Sequence, residues 1–219
     1  MKKFICICLV TLLSCIVLNG CAQKTPVKIV QPNNDVIDLH TPSNLDEFEA
    51  EVDCIVKGIL SDDSEEVLRE SSIDLGNGKT AKVVTGGWTI TSLQITEVFK
   101  GDLKAGNTIR LDEPYWIENR DEGPVVFIDE FYPNPYVPAE KGKEYLFFLM
   151  HQDESRGEFA DTYAVNSRIY NHLPVISSNT RSTGENLLTQ NLSETEKDVL
   201  GSDETYLDFY RQAIDKYMK

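Results

Sequence analysis

Tyr145-Leu146-Phe147-Phe148-Leu149-Met150 is an unbroken apolar run, entered through Gly142-Lys143-Glu144. A strand with one face in water alternates apolar and polar residues. An uninterrupted run of this length instead fits a central strand covered on both faces. The rest of the chain therefore has to supply a layer for each side.

Candidate partner strands precede and follow it. Asp53 to Leu60 reads as a first strand, and Gly58 inside it marks a bulge or bend. Val67 to Leu75 and Lys79 to Val84 flank Asn77-Gly78, a hairpin signal because both residues tolerate positive φ. After Gly86-Gly87 comes a long strand signal from Trp88 to Phe99. Its apolar parity switches near Ser92 and again after Glu97, which predicts curvature or bulges. Thr108 to Leu111 and Val125 to Ile128 read as further strands, with Thr162 to Val165 and Ile169-Tyr170 closing the set. Val27 to Val30 can add a short edge strand.

Helical signals sit at the two ends. Ser43 is placed to cap a short helical segment carrying Leu45, Phe48 and Val52, with Asp46 and Glu47 at its positive end. Ser193 and Glu196 form a capping box, and a second start at Ser202 follows Gly201. Tyr206, Phe209, Tyr210, Ala213, Ile214 and Tyr217 then draw one apolar stripe at helical spacing. Packing on the β-domain is the expected use of that stripe; docking a partner is the alternative.

The strand-turn-strand order from Asp53 to Met150 includes Val98-Phe99-Lys100-Gly101, Lys104-Ala105-Gly106-Asn107-Thr108-Ile109 and the Gly142 to Leu149 segment. It resembles the netrin-like and tissue-inhibitor-of-metalloproteinase-like modules, and the small barrels of uncharacterised bacterial lipoproteins. The resemblance implies a mainly β fold: a small OB-like, partly open barrel of five to six strands, with a short N-terminal helical turn and a C-terminal amphipathic helix. The animal modules' disulfides and free amino-terminal cysteine have no counterpart, so protease inhibition does not carry over. Expected boundaries are 1–20 signal peptide, 21–42 tether, 43–175 barrel, 176–192 linker and 193–219 C-terminal helix.

Placement follows from the first 21 residues. Lys2 and Lys3 precede Phe4 to Leu18, 15 residues broken only by the polar Thr11 and Ser14. A helix of that length covers ~22 Å, short of a ~30 Å hydrocarbon core, and the charged start marks a secretory signal. Leu18-Asn19-Gly20-Cys21 resembles the lipobox of bacterial lipoproteins, with Asn19 a departure from the residue usual there. The resemblance implies cleavage between Gly20 and Cys21, acylation of Cys21, and a domain held on the extracytoplasmic face of the cell membrane. Two or more acyl chains anchor stably.

Composition narrows the partners. The chain carries 21 basic and 36 acidic residues, net −15, and loss of the leader removes two lysines and no acid, giving −17. Such a charge repels phosphate backbones, so nucleic acid is not an expected partner. Cys6, Cys8 and Cys15 leave with the leader and Cys21 takes lipid, so Cys54 alone remains and no internal disulfide can form. Cys54 reads as a small buried hydrophobe rather than a nucleophile, with no base beside it in sequence.

Chemistry is thinly signalled. His40, His151 and His172 have no metal-ligand spacing, and nucleophile-elbow, phosphate-loop and dinucleotide motifs are absent, so no metal or cofactor is expected. Asp62-Asp63, Glu65-Glu66, Asp112-Glu113, Asp129-Glu130 and Asp153-Glu154 read as solvated loop charge before acid–base pairs. Tyr115, Trp116, Phe131, Tyr132 and Tyr136, interleaved with prolines, are the candidate binding surface, or else the cap on the barrel's open end. The expected function is non-enzymatic capture of a protein, peptide or glycan ligand. The alternatives are an accessory or inhibitory factor docking an envelope enzyme, and a hydrolase using paired carboxylates.

Overall fold

The computed structural model describes residues 27–32, 42, 44–129, 135–165, 172–176, 188 and 190–218. In chain order these hold β1 (Lys28–Val30), α1 (Leu45–Glu51), β2 (Cys54–Leu60), β3 (Glu65–Gly76), β4 (Lys79–Lys100), β5 (Thr108–Glu113), β6 (Tyr115–Arg120) and β7 (Gly123–Ile128). They continue with β8 (Glu144–His151), a 3-10 turn (Glu154–Phe159), β9 (Thr162–Val165), β10 (His172–Pro174), α2 (Glu194–Leu200) and α3 (Glu204–Tyr217).

Five strands make a barrel in the order β8-β2-β4-β5-β9, and β9 pairs back onto β8 through Leu149–Val165, Met150–Ala164 and His151–Tyr163. Only the β5–β9 contact within this ring is parallel. This is an OB-like barrel, closed rather than partly open. Closure is possible because β8 has eight residues: its Tyr145–Phe147 half pairs with β10, and its Leu149–His151 half with β9. β1, β7 and β6 form a second, three-stranded sheet, with β1 as the short edge strand expected near Val27. β6 and β10 are strands that the sequence pattern did not signal.

The apolar run in β8 is buried on both sides. Tyr145, Phe147 and Leu149 fill the barrel interior with Val56, Leu60, Leu93, Ile95 and Leu111. Leu146 and Phe148 face outward into a second core with Ile55 and the helices. Phe48 of α1 meets Phe148 at 5.1 Å and Phe209 of α3 at 5.2 Å between ring centroids. The α3 stripe thus packs on the barrel: Tyr206, Phe209, Tyr210, Ala213 and Ile214 are all buried. Lys216 ties α3 to α1 through Asp46 and Glu49, at 2.9 and 2.7 Å.

Several local details differ from the sequence reading. Asn44, not Ser43, caps α1, accepting the Glu47 N–H at 2.9 Å; Ser43 lies outside the described residues. Asp203, not Ser202, caps α3, accepting from Tyr206 N–H, while the Ser193–Glu196 capping box on α2 is present. Gly86-Gly87 does not interrupt a strand: β4 runs 22 residues straight through it. No parity switch occurs near Ser92, because Thr89 and Thr91 point inward with Leu93 and Ile95, leaving Trp88 and Ile90 on the outer face. The switch after Glu97 is real, with β2–β4 register shifts beside Val56 and Gly58. A Cβ on Gly58 would stand 2.9 Å from the Gln94 carbonyl oxygen, so the barrel bends where its backbones come closest.

The segment read as a linker contributes Leu188 and Leu192 to the helical core. After β1, the Gln31 amide accepts from Tyr136 N–H and donates to the Tyr136 carbonyl. Ile169-Tyr170 lies outside the described residues. Among the described residues no helix is long and apolar enough to cross a membrane.

Candidate functional site

The outer faces of β3, β4 and β5 adjoin, exposed along β3 and buried at Ile90 and Asp112. β3 and β4 pair from Glu65–Ile90 to Gly76–Lys79 around a two-residue turn, in which Asn77 and Gly78 have φ of 55° and 72°. Both values lie in the left-handed region a type I′ hairpin requires. Every residue from Glu70 to Gly76 is exposed, so the distal half of this ribbon adds little to either core. Ile73 and Leu75 are 44% and 60% exposed, and Ala81 and Val83 stand opposite Ile73 and Ser71 on the same face. An apolar strip therefore runs down the ribbon toward the barrel.

At the ribbon's base the strip meets charge and aromatic rings. The Arg69 guanidinium lies 5.3 Å from the Trp88 ring centroid, and Phe159 of the 3-10 turn meets Trp88 edge-on at 5.3 Å. On β5, Ser92 stands opposite Arg110 and Ile90 opposite Asp112. Arg110 also approaches Glu65 at 3.7 Å. Asp112 is 7% exposed, and its Oδ1 is buried without a hydrogen-bond partner among the described residues. Burial, and then the charge of Glu113, push its carboxyl up to about 7, while Arg156 and Arg110 pull it back. Such a group can donate as well as accept a hydrogen bond near neutrality.

Glu113 does not join it. Adjacent residues on a strand face opposite sides, and Glu113 points into the barrel. There its Oε1 accepts from the Tyr136 hydroxyl at 2.6 Å and the Ala139 N–H at 3.1 Å. Burial pushes it up to about 7, against the pull of those two donors. Asp129 is a third buried acid: its Oδ2 accepts the Gly87 N–H at 3.2 Å and pairs with Arg69 at 3.4 Å. A Cβ on Gly86 would lie 2.6 Å from that oxygen and run into Arg69 Nη2, so the first glycine makes room for the pair. The other acid pairs serve locally: Asp63 accepts from Ser92, and Asp153 caps the 3-10 turn through Ser155. Asp112 and Glu113 thus belong to opposite faces of β5, not to one cleft.

Of the expected binding surface, Tyr115, Trp116 and Tyr136 are 6%, 7% and 3% exposed. Tyr115 and Tyr136 pack in the barrel core, and Trp116 stacks on Phe127 at 5.4 Å. Phe131 and Tyr132, like Gly20 and Cys21, lie outside the described residues. Cys54 is buried among the barrel's apolar side chains, and that burial pushes its thiol up, away from nucleophilic character. His172 is buried too, 5.0 Å from the Tyr145 ring, and burial pushes it down to about 4. His151 is exposed and packs beside Tyr163. Among the described residues no group of three or more His, Cys, Asp or Glu side chains is placed to hold a metal ion.

The ribbon face was missed in sequence because its residues read as ordinary strand. The available signal was the alternation Val67, Arg69, Ser71, Ile73, Leu75, with nothing in sequence to cover the apolar members. No protein-family model matches the chain, and no curated protein matches it.

Proposed function

We propose that the protein is an extracytoplasmic lipoprotein, held to the cell membrane by acyl chains on Cys21, whose barrel is a non-catalytic binding module for an envelope protein, peptide or glycan. The observation that carries the binding role is the ribbon face: an exposed apolar strip through Ile73 and Leu75 leading to Trp88, Arg69 and the buried Asp112, whose Oδ1 has no hydrogen-bond partner among the described residues. Exposed apolar surface rimmed by charge marks interaction sites, and the strand 2–3 face of OB-like barrels is a common ligand platform. The anchor rests on the leader and the Leu18-Asn19-Gly20-Cys21 sequence.

Two measurements test the reading. Cys21→Ser should abolish palmitate incorporation and membrane retention; labelled, membrane-bound Cys21→Ser protein would defeat the anchor. Acyl-anchored chain should retain an envelope component that Leu75→Ser and Ile73→Ser lose, with melting temperature little changed. Equal retention by all three would remove the ribbon face from the function.

A further inference from the structure

The same ribbon has a second unusual feature, its outer edge. Among the described residues β3 forms ladder bonds with β4 alone, so its other edge presents a row of backbone N–H and C=O groups. Proteins usually blunt such an edge with lysine, proline or a covering element. β3 has no lysine or proline; its charges and its bulge at Leu75 leave Ser71 to Ile73 clear, and from Glu70 to Gly76 it is exposed throughout. An uncapped strand edge of this length is a template for another strand.

We infer that the occupant is a second copy of this chain, paired antiparallel along β3 with Ser71 opposite Ser71. Symmetry and charge select that register. A two-fold axis normal to the sheet keeps each side chain on its own face, so the pairing must centre on a residue rather than between residues. Centring on Arg69 sets the two arginines against each other. Centring on Glu70 does the same for two glutamates, and on Ser72 it opposes Glu70 to Asp74. Leu68 as centre opposes Glu66 to Glu70. Like charges directly opposite destabilise a sheet. Centring on Val67 avoids this but pairs only five residues of β3, and centring on Ile73 only three before the bulge at Leu75.

The Ser71 register pairs seven residues, Leu68 to Asp74, with no like charges opposed, and stops where Leu75 bulges and Gly76 turns to a φ of 82°. Arg69 stands against Ile73, Leu68 against Asp74, and Glu70 against Ser72. Ile73 then gains the aliphatic stem of Arg69 as a neighbour on one face. Glu70 is already neutralised by Lys82 at 2.8 Å, which softens its approach to its own copy across the diagonal.

The test uses the full chain in detergent. Native mass spectrometry should show a dimer. Opposed strand residues lie ~4.5–5.5 Å apart at Cα, within disulfide range. Mild oxidation of Ser71→Cys should therefore give a covalent dimer above the background of the unsubstituted chain. Ile73→Cys should not, because four residues of offset separate the two thiols by ~14 Å. Ile73→Lys, at an exposed position, places lysine against arginine twice and should weaken association at least about tenfold while the thermal transition stays put. A monomeric parent chain would overturn the proposal. So would cross-linking through residue 73 instead of 71, or a dimer indifferent to Ile73→Lys; a strand of another protein would then be the occupant to seek.

Discussion

The Tyr136 hydroxyl donates to Glu113 Oε1 at 2.6 Å, joining the proline-rich segment before β8 to the last residue of β5 inside the barrel. The two residues are 23 apart in sequence, and Glu113 is fully buried. The bond holds the polypeptide against the barrel mouth and supplies one of the carboxyl group's two donors. Tyr136→Phe leaves the ring in place and removes only that donor. The expected cost is about 1–3 kcal/mol, the penalty for under-satisfying a buried polar group, seen as a melting temperature lower by several degrees. An unchanged transition would mean the bond contributes nothing net.

Asp112 and Glu113 give the stability a pH dependence of definite sign. Both carboxyls sit at about 7 in the fold, above their ordinary values of 3.8 and 4.5. Between those limits the native state holds more protons than the unfolded chain, so stability falls as pH rises from about 4.5 to 7.5. His172 works against this over part of the range. It is pushed down to about 4 from 6.5, stays neutral in the fold, and so lowers stability as pH falls below 6.5. Asp112→Asn removes one carboxyl without touching the histidine. Its unfolding free energy should lose part of the decline toward neutral pH and exceed that of the parent at pH 8. Denaturant titrations at pH 5 and 8 measure both effects, and parallel profiles would refute the assignment.

Arg69 is the cation beside Asp129, whose side chain is 1% exposed. Breaking such a pair from one side is worse than replacing both partners, because a buried charge is left behind. Arg69→Met should therefore cost about 3–5 kcal/mol, and the Arg69→Met, Asp129→Asn double variant less. Chemical denaturation of the four proteins completes the cycle. Additive losses would show that the two side chains do not act as a pair.

How much of this was legible in sequence depends on whether the signal was local. The β8 run announced a strand covered on both faces, Asn77-Gly78 announced the hairpin, and the α3 stripe announced the face that meets the barrel. Each is a pattern of neighbouring residues. Closure was not legible, since it depends on β9 returning to one half of β8, a contact with no local signature. Trp88 and Ile90 misled the parity count because two threonines, Thr89 and Thr91, take the inward positions that apolar residues usually fill. The aromatic residues of β6 suggested a surface. Yet Trp116 is covered by Phe127, a packing partner that only the β6–β7 register reveals. Buried Asp112 and exposed Leu75 both run against their residue types, and such exceptions come from tertiary placement.

The ribbon's independence of the barrel gives the last prediction. Beyond Glu70 and Val84 its side chains are exposed or half-buried, and its turn touches nothing that either core requires. Replacing residues 71–83 by Asn-Gly would reconnect the paired Glu70 and Val84 with the same two-residue turn chemistry. Arg69, Trp88 and Gly86 stay, so the Asp129 pair and the barrel wall keep their contacts. The shortened chain should unfold cooperatively with a melting temperature within about 3 °C of the parent, as expected for a change of under about 1 kcal/mol. It should also have lost self-association and most ligand retention. Because stability and interaction are read separately, a shortened chain that still dimerises places the contact elsewhere, and one that unfolds early shows the ribbon to be part of the barrel's support.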